Sequence, residues 1–128
     1  MPRFAILEHD WPTRHWDFLL EAGDVLRAWR LLAEPEAEKI IAAEANFDHR
    51  LLYLDFEGPL SGNRGSAKRW DAGTFEWIEN EANRVIVKLM GTRLMGLALL
   101  EKRLEGWRVS IHSPGRNAGF KPPSATGE

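Results

Sequence analysis

The chain has 128 residues, a formal net charge of −2 and no cysteine. That length suits one domain with a single core. The charge rules out a global basic field that would pull the molecule onto nucleic acid, and the missing cysteines rule out disulfides and thiolate metal sites. No apolar run approaches the ~20 residues a membrane-spanning helix needs, and Met1–Ala5 lacks the apolar core of a secretory leader. A cytoplasmic protein with no membrane partner is expected.

Arg3 to Glu8 is a short apolar run that reads as a first strand ending at His9. Asp10-Trp-Pro-Thr turns the chain, because Pro12 fixes its own backbone and disfavours helix before it. Residues 15 to 21 form a second strand, in which side chains alternate between two faces. His15, Asp17, Leu19 and Glu21 then share one face, and Trp16, Phe18 and Leu20 the other. Ala22-Gly23-Asp24 is a turn signal, and Val25 to Leu32 returns as the second arm of a hairpin. That pairing brings Trp29 and Arg30 near His15 and Asp17.

Glu34 to Glu44 is the one helix expected, with Pro35 at its first position and Glu36 and Glu38 facing the positive end of the dipole. Leu51 to Glu57 reads as a strand, and Gly58 to Gly65 as a loop. Ser66–Trp70, the turn Asp71–Gly73 and Thr74–Ile78 read as a second hairpin. Arg84–Met90, Leu94–Leu100 and Trp107–Ile111 complete the set. About eight short strands with one helix argue for a mostly β fold. A compact antiparallel β-barrel with one short flanking helix is expected, since so short a chain must dispose of its sheet edges. The domain is expected to span residues 1–112, followed by a flexible tail over 113–128 rich in Gly, Pro and Ser.

Three groups of residues carry possible chemistry. His9, His15 and Asp17 offer two imidazoles and a carboxylate, a donor set suited to manganese, zinc or a similar divalent ion with coordination positions left open. The spacing is not a standard zinc motif, and a histidine beside tryptophans with an aspartate partner is also an ordinary half-buried pair. His49 and Tyr53 come next. A histidine at a strand entry can act as acid or base or donate to a phosphate oxygen, although by residue type alone they equally suit a turn and a core edge. The loop Arg64-Gly-Ser-Ala-Lys68-Arg69 offers a guanidinium fork and a backbone that can approach a phosphate, or simply a solvated hairpin.

In combination these segments are more specific. His9-x5-His15-Trp-Asp17-Phe-x-Leu-Glu21, Trp29, Asp48-His49-x3-Tyr53-x-Asp55-Phe-Glu-Gly58, Trp70-Asp-x-Gly-Thr-Phe-Glu76 and Leu89-x-Gly91-x-Arg93-Leu-x-Gly96 follow in order. The pattern resembles the 3′-phosphoesterase domain of bacterial DNA ligase D over most of residues 4 to 111. The resemblance implies a compact barrel with a metal-dependent phosphoesterase site in a cleft, acting on DNA or RNA 3′ ends to remove a 3′-phosphate or a terminal ribonucleotide. By position, His9, His15 and Asp17 match the family's manganese ligands, and His49 and Tyr53 its phosphate contacts. Nucleic-acid 3′ ends are the implied partner, with a repair ligase or polymerase acting in trans.

The chain departs from the family pattern at informative places. Leu19 stands where the family has an arginine on the scissile phosphate, Phe47 where it has a glutamate, and Ile41 where a further arginine is usual. The loop Ser61–Gly65 also differs. The resemblance therefore implies a kept metal site beside a partly rebuilt phosphate site; by their position alone, Arg64 or Arg30 is the expected substitute for the missing guanidinium. Two other readings follow from Leu19: a non-catalytic module that binds metal and nucleic-acid ends, or a phosphoesterase with a different substrate.

Overall fold

A computed structural model describes residues 1–114. The expected tail, beyond residue 114, lies outside the described residues. The strands are β1 (Arg3–His9), β2 (His15–Ala22), β3 (Val25–Leu31), β4 (Ile40–Arg50), β5 (Gly58–Pro59), β6 (Ser66–Asn80), β7 (Arg84–Gly91), β8 (Met95–Arg103) and β9 (Gly106–His112). Neighbours run in the order β1-β2-β3-β4-β9-β8-β7-β6, and β6 pairs back onto β1. All pairings are antiparallel. Eight strands thus close into a barrel, and the two-residue β5 is appended to the start of β6. Closure removes the unpaired edges that would otherwise template aggregation.

The period-two pattern of β2 is realised as expected. Trp16, Phe18 and Leu20 point into the barrel and join Phe4, Ile6, Trp29, Leu31, Phe75 and Trp107 in the main core. Leu19 points outward with Ala5, Leu7, Leu26 and Ala28, and this outer face is covered by Leu51, Tyr53, Leu54 and Phe56. β1 is therefore buried on both faces, which is why Phe4–Leu7 is an unbroken apolar run rather than an alternating one. The second layer is what creates a cleft outside the barrel.

Three expectations are corrected. No helix forms over 34–44; the chain is irregular to Lys39 and then enters β4. Ile41 and Ala43 are buried, while Ile40, Ala42 and Glu44 are exposed, a strand period rather than a helical one. The physical reason is tertiary. β4 pairs with β3 on one side and with β9 on the other, and a helix here would leave both edges open. Helical propensity and dipole placement contribute only tenths of a kcal/mol to about 1 kcal/mol, too little to outweigh two ladders. Second, Leu51–Leu54 is a single 3-10 turn, not a strand; it is the only helical element among the described residues. Third, Asp71–Gly73 is not a turn. β6 runs unbroken for 15 residues, pairing with β1 in its first part and with β7 in its second. Gly73 serves this passage by close approach, since a Cβ there would strike the backbone carbonyl of Met90.

Asp71 explains how β6 holds the far end of the hairpin β7–β8. Its carboxylate is buried and accepts backbone N–H bonds from Ala72, Thr92 and Arg93 at Oδ1 and from Leu94 at Oδ2. Gly91 is needed beside it, because a Cβ there would meet Asp71 Oδ2 and the Phe4 ring.

Candidate functional site

β1 and β2 pair in register with His9 opposite His15 and Leu7 opposite Asp17. The loop 10–14 between them is short, so the last residue of one strand and the first of the next sit side by side. Asp17 follows His15 by two residues on the same outward face. One potential ligand atom from each of His9, His15 and Asp17 lies within 4.8 Å of the others. His15 Nε2 is 3.3 Å from Asp17 Oδ1, and His9 Nδ1 is 3.8 Å from Asp17 Oδ2. The two imidazole rings meet edge to face, with centroids 4.8 Å apart.

Each histidine is oriented by a backbone carbonyl. His9 Nε2 donates to Arg64 O at 2.8 Å, and His15 Nδ1 donates to Thr13 O at 2.9 Å. These bonds set the tautomers, leaving His9 Nδ1 and His15 Nε2 as the lone-pair nitrogens. His15 Nε2 is buried and makes no hydrogen bond. It faces Asp17 Oδ1 at 3.3 Å, an ion pair only when the ring is protonated, and a divalent cation at the centre of the trio would take the place of that proton. A ligating histidine that donates its other N–H to a carbonyl is the usual arrangement around bound metals, so the donor set fits a metal. Burial lowers the His15 pKa, but the Asp17 carboxylate and the Thr13 carbonyl together more than reverse this, and the net shift is upward.

The loop 60–65 that supplies the Arg64 carbonyl is fastened to the β1–β2 loop. Asp10 Oδ1 accepts the Ser66 N–H at 2.9 Å, and Gly65, at φ 73°, lets the two loops touch where a Cβ would strike Asp10 and Trp11. Neither orienting carbonyl was legible in the sequence, because a backbone group carries no residue-type signal.

The trio opens into a cleft of about 400 Å³. Leu7, Leu19 and Ala67 form its apolar floor. His49, Tyr53 and Phe56 line one wall, with Arg30, Arg50 and Arg64 around them. The structure therefore gathers His9, His15, Asp17, His49, Tyr53 and Arg64 around one cavity, while Lys68 and Arg69 of the nominated basic loop do not line it. His49 Nδ1 donates to Phe47 O at 2.8 Å, which leaves Nε2 as its free nitrogen. Its ring stacks on Phe47 at 4.9 Å and meets Tyr53 edge-on at 5.8 Å. Arg64 is exposed and partly engaged, with Nε and Nη2 bonded to Ser61. Two aromatic residues at the cleft, Trp11 and Phe47, are exposed. Sequence reasoning missed both as site residues; their signal was an aromatic two residues before a nominated histidine in one case and in the turn between the two nominated histidines in the other. Three arginines against Asp17 and Asp48 make the lining net positive, on a chain whose formal charge is −2.

The fold and site define a class: an antiparallel barrel with an outward-facing histidine–histidine–aspartate centre at the end of a cationic cleft. A family model described as the DNA ligase D 3′-phosphoesterase domain matches residues 7–102. The multifunctional non-homologous end joining DNA repair protein LigD of Mycobacterium tuberculosis H37Rv is 34% identical over 115 residues, covering 81% of this chain. The multifunctional non-homologous end joining protein LigD of Pseudomonas aeruginosa PAO1 is 30% identical over 105 residues, covering 73%. The chain spans 15% and 12% of the length of these two relatives. It belongs to the DNA ligase D 3′-phosphoesterase domain family. Among the described residues, no helix is long and apolar enough to cross a membrane.

Proposed function

We propose that the chain is a divalent-metal-dependent 3′-phosphoesterase that removes a 3′-phosphate or a terminal 3′-ribonucleotide from DNA or RNA ends during end-joining repair. The observation that carries this reading is the buried, unbonded His15 Nε2 aimed into a trio with His9 and Asp17, in a chain of this family. Manganese is the preferred ion by resemblance, and zinc suits the same donors. A bound divalent ion would supply charge neutralisation at the phosphoryl oxygens and a lowered pKa for a coordinated water.

The protein's own groups do the rest. Thr13 and Arg64 carbonyls hold the two imidazoles in their ligating tautomers. His49, fixed through Nδ1 by the Phe47 carbonyl, presents Nε2 as the acid, base or donor to the phosphoryl group. Tyr53 adds a hydroxyl at the same wall and Arg64 a positive charge. Hydrolysis passes the phosphoryl group to water and leaves a 3′-hydroxyl, so the departing oxygen takes up a proton, and His49 is the group proposed to deliver it. The exposed rings of Trp11 and Phe47 offer stacking surfaces to the terminal bases. A repair ligase or polymerase that uses the healed end is the proposed partner in trans.

The direct test is release of 3′-phosphate, or of a 3′-ribonucleotide, from a primer–template with manganese. Wild-type turnover no higher than that of a His15→Ala, Asp17→Ala double variant would overturn the reading. Leu19, fully buried in the cleft floor, supports a second reading, since it brings no charge where a phosphate would lie. A non-catalytic end-binding module predicts metal binding and retarded DNA ends without turnover.

A further inference from the structure

The cleft holds a guanidinium with no assigned purpose. Arg30 sits on β3 directly opposite Asp17 on β2 and shares its outward face. It is half-buried and lines the cleft. Most arginines elsewhere are partnered: Arg3 with Asp55, Arg14 with Glu8, Arg84 with Glu79, and Arg93 with Glu34. Arg30 forms no ion pair and no hydrogen bond among the described residues, and its Nε is shielded from solvent without a partner. Of the other two cleft arginines, Arg50 is exposed, and Arg64 is exposed and bonded to its own loop. Arg30 also acts electrostatically on His15, opposing its protonation.

An unpaired guanidinium beside a metal centre is a poor arrangement for the metal alone. The cation and the guanidinium repel each other at short range and low dielectric, and a site built only to hold an ion would place an anion there. The arrangement becomes favourable once a group carrying negative charge lies between the two. A phosphoryl group has that charge, and its oxygens match the planar fork of arginine.

We propose that Arg30 is the guanidinium that grips the substrate phosphate, making an anion subsite between β3 and the His9–His15–Asp17 centre for a phosphomonoester or phosphodiester group. This rests on the phosphoesterase reading. It assigns the main phosphate contact to the neighbouring strand, whereas Leu19 on β2 lies beneath the cleft as apolar floor.

The test uses the manganese-loaded full chain with inorganic phosphate as the probe, measured by calorimetry, alongside turnover of a 3′-phosphorylated primer. Arg30→Met and Arg30→Lys are compared with wild type, and Arg108→Ala, exposed on β9, controls for the loss of one positive charge. Arg30→Met is expected to weaken phosphate binding by about tenfold or more and to lower kcat/KM by about a hundredfold. Arg30→Lys keeps the charge without the fork and is expected to fall between. Without phosphate, manganese is expected to bind Arg30→Met at least as tightly as wild type, because a repelling charge has gone. Phosphate affinity within threefold of wild type in Arg30→Met would overturn the proposal, as would a wild type that binds no phosphate. A parallel loss of manganese affinity would also overturn it, showing that Arg30 only supports the ligand geometry. The two readings separate cleanly. No turnover by wild type with Arg30-dependent phosphate binding defeats the phosphoesterase reading and keeps this one, and turnover indifferent to Arg30 does the reverse.

Discussion

Replacing Asp71 should unfasten the barrel's far hairpin and leave the His9–His15–Asp17 trio intact. The carboxylate accepts four backbone N–H bonds, from Ala72, Thr92, Arg93 and Leu94, at 2.8–3.1 Å. These donors are not equivalent. Leu94 is buried, so its N–H would be left unsatisfied in Asp71→Ala, at a cost of roughly 1–3 kcal/mol. Thr92 and Arg93 are exposed and can turn to water, so each lost bond costs about 0.5–1.5 kcal/mol. For these three donors, leaving aside the sequence-adjacent Ala72, the sum for Asp71→Ala is about 4 kcal/mol. Asp71→Asn is milder, since its carbonyl can keep the three bonds at Oδ1 while its amide faces the Leu94 N–H; about 2 kcal/mol is expected. For a chain of this size each kcal/mol moves the midpoint by about 4 °C. Thermal denaturation followed by circular dichroism should therefore fall by roughly 15 °C for Ala and about 8 °C for Asn, with manganese affinity measured at low temperature unchanged in both. An Ala variant melting within about 3 °C of wild type, or an Asn variant as damaged as Ala, would refute the reasoning, because 3 °C is less than one lost bond on that scale.

Other perturbations address the site. Asp17→Asn keeps the shape of the ligand trio but removes its negative charge, and manganese affinity by calorimetry should drop on the order of a hundredfold or more; a change under threefold would show that the ion does not use this carboxylate. Because the His15 pKa is raised, protons and metal compete for Nε2, so half-saturating manganese should fall as the pH rises from 6 to 8. In the metal-free protein the same shift stabilises the fold fully below the unfolded value near 6.5, and that contribution is lost as the pH climbs through the raised folded value. A His15→Gln variant should lack this slope in pH-dependent melting, and a slope equal to wild type would assign it to other groups. Leu19→Arg should not restore a family-like phosphate contact. Leu19 is fully buried against Leu7, Leu26, Ala28 and Leu54, and its loss alone costs about 1.5–3 kcal/mol. A lower melting point with no gain in turnover is expected, and a faster enzyme would place the phosphate over β2 instead of beside Arg30.

The amino-acid sequence determined by itself the elements whose neighbours are local. β2 alternates at period two from His15 to Glu21, so its faces, and the convergence of His15 and Asp17, follow from the pleat alone. The short loop 10–14 then carries His9 to the same point. What depends on distant chain was not legible. Ile40–Ala43 is equally apolar as helix or strand, and it became β4 because β3 and β9 both required a partner. Asp71-Ala-Gly reads locally as a turn, yet Asp71 serves as an acceptor for a hairpin more than twenty residues away, and Gly73 makes room for β7. At the candidate site the division is the same. The residue types of the candidate metal trio were written in one stretch. The tautomers of its histidines, the burial of Leu19 under the Leu51–Leu54 turn and the unpaired state of Arg30 were decided only when remote segments met, because hydrogen bonds, desolvation and charge pairing depend on what lies across a contact rather than along the chain.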